Sequence, residues 1–143
     1  MGAEKSSVSS PMRKAITMSK STMKLELVQV PVADVDRAKA FYTEQAGFDA
    51  DLDRVVSDEI RFVQLTPPGS ACSIAIGTGL TPMAPGSVQG LQVVVEDVAA
   101  VRAELVARGV DATEVQDFPW GSFTFFSDPD GNGWSVQQAV PRG

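Results

Sequence analysis

Any chemistry in this chain falls to carboxylates, hydroxyls, amides, Lys, Arg or a single thiol, because its 143 residues include 0 histidines and 1 cysteine. Histidine is the usual general base near neutral pH and the commonest metal ligand. Its absence excludes Ser–His–Asp triads, His–Cys dyads, HExxH zinc sites and zinc fingers with His ligands. The lone Cys72 cannot form an intrachain disulfide. It lies in the apolar run 71–76 with no basic neighbour, so it reads as a core cysteine rather than a reactive thiolate. Asp128 and Asp130 belong to Asp-Pro-Asp-Gly-Asn-Gly, where each residue type has a turn role, so they read as a hairpin turn and not as an acid–base pair. Asp53, Asp58 and Glu59 read as solvated carboxylates of turn-like segments. No catalytic residue emerges. Aromatic side chains do stand out, since Phe118, Trp120, Phe123, Phe125 and Phe126 crowd one short stretch. Ligand pockets are mostly apolar with a few placed polar groups, and such a stretch could wall one. Phe41, Tyr42 and Trp134 read as structural.

The elements that must position these residues recur twice. Residues 25–32 are rich in Val and Leu, as strands prefer. Asp34 suits the N-cap of a helix over 35–45, where Val35, Ala38, Phe41 and Tyr42 recur at helical spacing, and Gly47 suits its stop. Strands follow at 60–65 and 72–76, joined by Pro67-Pro68-Gly69, and residues 79–88 read as a linker. Then the pattern restarts 63 residues on: Gln29, Val30, Val32, Asp34, Val35 and Ala40 find Gln92, Val93, Val95, Asp97, Val98 and Ala103. The second copy has its own glycine stop, Gly109, and ends in strands at 122–126 and 134–139 around the 128–133 turn. A repeat of strand, capped helix and strands is the most specific feature of the sequence.

Length and composition fit one soluble globular domain, with 43% apolar and 21% charged residues. Residues 1–22 hold six serines and read as a flexible basic tail, with four cations against one anion for a charge of +3. That leaves −9 for the other 121 residues, a body that repels phosphate backbones and argues against nucleic acid as a partner. No apolar run reaches the roughly 18 residues of a membrane span, and no secretory leader is read at the N-terminus. A cytoplasmic protein that does not engage membranes is the expectation. The opening Met1-Gly2-Ala3-Glu4-Lys5-Ser6 fits the loose myristoylation pattern, which is short enough to arise by chance.

Three groups of residues together carry a family resemblance. They are Val32-Ala33-Asp34-Val35-Asp36-Arg37-Ala38-Lys39-Ala40-Phe41-Tyr42 with Gly47-Phe48, Val95-Glu96-Asp97-Val98 with Gly109, and Pro119-Trp120-Gly121 with Asp128-Pro129-Asp130-Gly131-Asn132. In this order and spacing, over about 25–139, the chain resembles the vicinal oxygen chelate superfamily of glyoxalase I, extradiol dioxygenases, and fosfomycin- and bleomycin-resistance proteins. The resemblance implies an α+β fold, two tandem βαβββ modules forming curled mixed sheets around a cavity. The modules would span about 23–78 and 89–140 within one domain, 23–143. Where metal-using members carry inward His or Glu ligands, this chain has Leu27, Gly90, Ser135 and either Ser73 or Ala75. Leucine and glycine offer no donor and serine is a weak one, so no metal and no other cofactor is expected.

Strand parity then aims Gln29 inward with Leu27, Gln92 and Val94 with Gly90, and Gln137 with Ser135. Amides offer both donors and acceptors, suited to orienting a neutral polar ligand. The resemblance thus implies a metal-independent binding protein of the bleomycin-resistance type, sequestering a small hydrophobic or aromatic compound, an antibiotic among the candidates. Its ligand-binding residues would be Leu27, Gln29, Gln92, Trp120, Phe123, Phe125, Ser135 and Gln137. Family members of this size commonly form homodimers. The alternative readings are a metal-free isomerase or lyase acting on a natural-product intermediate, and an accessory protein with no free cavity.

Overall fold

A computed structural model describes residues 19–140. Most of the tail expected over 1–22, including the myristoylation-like opening, lies outside those residues. The first module runs β1 (Leu27–Gln29), α1 (Val35–Ala40), β2 (Asp49–Ser57), β3 (Ile60–Thr66) and β4 (Ser73–Thr78). The second runs β5 (Leu91–Val95), α2 (Val98–Ala107), β6 (Gln116–Phe118), β7 (Gly121–Ser127) and β8 (Gly133–Ala139). Each forms a four-stranded mixed sheet, ordered β1-β4-β3-β2 and β5-β8-β7-β6, and neither sheet closes. The chain is therefore α+β, built of two similar βαβββ modules. No helix among the described residues is long and apolar enough to cross a membrane.

The caps form where the sequence placed them. Asp34 accepts a hydrogen bond from the Arg37 amide at 3.0 Å, and Asp97 accepts one from Ala100 at 3.0 Å. The first helix does reach Gln45, but its last five residues, Phe41–Gln45, wind as a π-helix. Ala46 N–H reaches back to the Phe41 carbonyl at 2.9 Å, and Gly47 then leaves the helix at φ +84°. The wider turn lets adjacent Phe41 and Tyr42 both bury their rings.

Three local expectations change. The first strand is three residues long rather than eight, because beyond it the Pro31 carbonyl accepts from Asn132 Nδ2 at 2.8 Å and from Gly86 N–H at 3.2 Å instead of a strand. The segment holding Asp53 is a strand, β2, exposed along its whole length, so no burial pattern marked it in the sequence. Cys72 is half-buried and precedes β4 rather than sitting in the core.

One apolar core serves both modules. It joins Val30, Val63, Leu65, Ile74 and Ile76 with Val98, Leu105, Phe126, Trp134 and Val136, and α1 and α2 pack into it. Tyr42, fully buried, crosses the seam: its hydroxyl donates to Asp128 Oδ2 at 2.7 Å and accepts from Trp134 Nε1 at 3.0 Å. Burial, together with the Asp128 charge, pushes the Tyr42 phenol far above its ordinary range, which keeps it a donor. Asp130 also crosses, accepting from Ala33 N–H at 3.2 Å and pairing with Arg37 at 3.4 Å. The two aspartates do shape their turn, and they also bind the modules together.

On the first module's flank, Asp53 receives Arg61 Nε at 3.0 Å, Arg61 Nη2 at 2.8 Å and Lys39 Nζ at 2.8 Å. Those hydrogen bonds, Arg61 first and then Lys39, hold the Asp53 carboxyl far below the usual carboxylate range. Its folded-state pKa is depressed, so the stabilisation is present above about pH 4 and fades as pH falls below it. Asp53→Asn should flatten the acid limb of a stability-versus-pH curve by on the order of 1 kcal/mol, as for solvent-accessible pairs. An acid limb identical to the parent's in urea titrations from pH 6 to pH 2 would refute this role.

Candidate functional site

With helices and core on one face of each sheet, the other face is open. The repeat's alternation sends matching residues there, and Gln29 and Gln92 are both exposed. On β8 and β7, Ser135 pairs with Phe125 and Gln137 with Phe123, so these four side chains share the open face of the second sheet. Gln92 is paired with Ser135 across β5 and β8 and joins them. At the edge, Phe118 of β6 and Trp120 of the following turn complete the group. Six of the eight sequence-derived residues therefore meet on one sheet: Gln92, Trp120, Phe123, Phe125, Ser135 and Gln137. Leu27 and Gln29 lie on the open face of the first sheet, opposite Ser73 and Ala75 in register. No hydrogen bond or ring contact among the described residues joins Leu27 or Gln29 to the six on the second sheet, so the two sets stay on separate sheets.

The rings form a continuous stripe. Trp120 stacks on Phe118 at 5.2 Å and 11°, Phe118 meets Phe123 edge-on at 5.7 Å, and Phe123 stacks with Phe125 at 5.8 Å and 7°. Phe123 is buried, whereas Trp120 is 62% exposed. Beside the stripe runs a polar relay. Ser135 Oγ donates to Gln92 Oε1 at 3.0 Å, Gln92 Nε2 to Gln137 Oε1 at 2.9 Å, and Gln137 Nε2 to the Trp120 carbonyl at 3.1 Å. The carbonyl can only accept, which fixes the relay's direction and leaves one N–H of each amide free. Gly121 keeps the turn close to this relay: at φ +151°, a Cβ there would stand 2.9 Å from Gln137 Nε2 and 2.9 Å from the Gln138 carbonyl. Beyond Phe125 and Ser135 the face continues into a groove of about 460 Å³ that also takes in Gln89, Gly90, Asp111 and Thr113.

Sequence reasoning left Phe118 out of the binding set, although it bridges Trp120 to Phe123. Its place in the aromatic cluster was the available clue. It also missed the polar group on the first open face, Asp51, Gln64, Thr66 and Ser73, which depends on the unread strand β2.

The donor set does not fit a divalent ion of the kind the family resemblance would bring. Leu27 and Gly90 carry no donor atom, and Ser135 and Ser73 are already engaged by Gln92 and by Gln64 with Thr66. Among the described residues, no three His, Cys, Asp or Glu side chains come together.

The model of the Glyoxalase/Bleomycin resistance protein/Dioxygenase superfamily matches residues 24–136. The Bacillus subtilis (strain 168) protein YetH is 32% identical over 109 residues, which is 73% of this chain and 89% of YetH. Among solved structures, TnmS3, an antibiotic binding protein from Streptomyces sp. CB03234, superposes with a TM-score of 0.78 at 36% identity, covering 85% of this chain and 100% of TnmS3. A glyoxalase/bleomycin resistance protein from the same Streptomyces gives 0.72 at 38% identity, covering 80% and 100%.

Proposed function

The chain belongs to the glyoxalase/bleomycin resistance protein/dioxygenase superfamily, and on that basis we propose that it binds and sequesters a small hydrophobic or aromatic compound without a metal ion. The observation that carries this reading is the stripe of stacked rings beside a directed amide relay on the second sheet's open face. Flat apolar surface supplies affinity, while the free N–H groups of Gln92 and Gln137 orient a polar substituent. None of the side chains of the stripe or the relay is an acid or base near neutral pH, which favours holding a molecule over transforming it. The description of TnmS3 as an antibiotic binding protein supports an antibiotic among the candidate ligands.

A second copy of the chain completes the site in this reading. Each chain carries the two sets on separate sheets, so a homodimer that sets the first sheet of one copy against the second sheet of the other brings Leu27 and Gln29 over the stripe. Each copy of such a dimer contributes to two sites.

Tryptophan fluorescence provides the test. Trp134 is buried and stacked on Phe126 at 6.0 Å, so quenching by an aromatic ligand should report almost wholly on exposed Trp120. A panel of aromatic compounds should include quenchers of the parent that leave Trp120→Phe unquenched, and sedimentation should give twice the chain mass. A panel without a single quencher sinks the sequestration reading, and a strictly monomeric protein sinks the shared site.

A further inference from the structure

The open face of the first sheet carries polar chemistry of its own. The register of β2 against β3 shifts between Ala50 and Leu52, and at that irregularity the Asp51 carboxylate accepts from the Thr66 hydroxyl. Thr66 Oγ1 lies 2.6 Å from Ser73 Oγ, which receives Gln64 Nε2 at 3.2 Å. An ionised carboxylate only accepts, so the direction is fixed: Gln64 donates to Ser73, Ser73 to Thr66 and Thr66 to Asp51. Ser73 is itself buried, with 5% exposure, so the relay is part of the sheet and not a loose surface contact. The second sheet's relay ends on a neutral carbonyl, whereas this one ends on a charge.

That charge has no counterion among the described residues. Asp53 and Asp36 are neutralised by Arg61 and Lys39, and Asp130 by Arg37, but no Lys or Arg stands within ion-pair distance of Asp51. Arg54 lies three positions along the same strand, roughly 10 Å away at strand rise, where its effect is weak. The same face carries Leu52 next to Asp51, with Phe62 farther along opposite Arg54 and Leu27 beside Ser73 on the far strand, apolar side chains that suit the hydrocarbon part of a ligand. Building on the ligand-binding reading above, we propose that Asp51, backed by Thr66 and Ser73, is a subsite for the ammonium group of an aromatic amine. A protonated amine brings both the missing positive charge and N–H donors for the free carboxylate oxygen.

Amide NMR titrations of the full chain test this with two probes that share the naphthylmethyl group and differ in their polar head, a cationic ammonium against a neutral hydroxyl: 1-naphthylmethylammonium chloride and 1-naphthalenemethanol. The ammonium probe should bind roughly fivefold more tightly, as expected for a partly exposed charge pair. It should shift the amides of Asp51, Thr66 and Ser73 as well as those of Phe123 and Phe125. Asp51→Asn should bring its affinity down to that of the alcohol while the alcohol's stays unchanged. Salt near about 0.5 M, where screening reaches only a few ångströms, should do the same to the parent. Equal affinities for the two probes, or ammonium-induced shifts confined to Phe123 and Phe125, overturn the subsite and leave the aromatic-binding reading standing. Absence of shifts on either sheet with both probes overturns the two together.

Discussion

Asp128→Ala should destabilise the chain by about 3–5 kcal/mol, enough to lower the thermal midpoint by roughly 10–20 °C. Four donors lose their acceptor at once: Tyr42 OH at 2.7 Å, Asn132 Nδ2 at 2.8 Å, and the Asp130 and Asn132 amides at 2.9 Å each. Tyr42 and Asn132 are fully buried, so water cannot replace the carboxylate without opening the seam between modules. Tyr42→Phe removes two hydrogen bonds, the one to Asp128 and the one from Trp134 Nε1, yet keeps the ring against Phe48 and Trp134, and should cost about 2–3 kcal/mol. The double variant should cost less than the sum, because the two side chains share a bond. A calorimetric midpoint for Asp128→Ala within about 3 °C of the parent would show that the seam does not depend on this carboxylate.

The second large effect falls on binding instead of stability. Removing Trp120 and Phe118 together should weaken an aromatic ligand by about 2 kcal/mol, roughly thirtyfold in Kd. The midpoint should hardly move, since Trp120 is 62% and Phe118 36% exposed and neither belongs to the shared core. Isothermal titration with any compound found to quench Trp120 measures the first quantity, and a melt measures the second. The contrast with Asp128→Ala is the informative part, because a generally damaged fold would lose both. Affinity retained by the Trp120→Ala, Phe118→Ala double variant would move the binding surface off this stripe.

Much of the local architecture could be read from short stretches. Asp34 and Asp97 cap their helices because an aspartate oxygen reaches an amide three residues on, a matter of adjacent backbone alone. The 63-residue repeat announced two modules, and strand parity told which side chains leave the core. Strand β2 escaped because Asp49, Asp51 and Asp53 with an exposed Val55 and Val56 present no buried face, and with β2 went the Asp51 relay. The π-helical end of the first helix escaped because one extra residue per turn scarcely alters an apolar pattern.

What the sequence determined by itself was the repertoire: no imidazole, no metal-ligating set at the positions the family resemblance marks, and amides and aromatic rings on strands of known parity. Tertiary structure alone decided which of them meet. Tyr42 finds Asp128 86 positions away, and Gln92 finds Gln137 45 away, contacts that depend on how sheets and helices close on each other. It also decided that the two modules bury their helix-bearing sides together, because a shared apolar core removes more surface from water than two separate ones. The expected site is thereby divided, with Leu27 and Gln29 on one sheet and the aromatic stripe on the other.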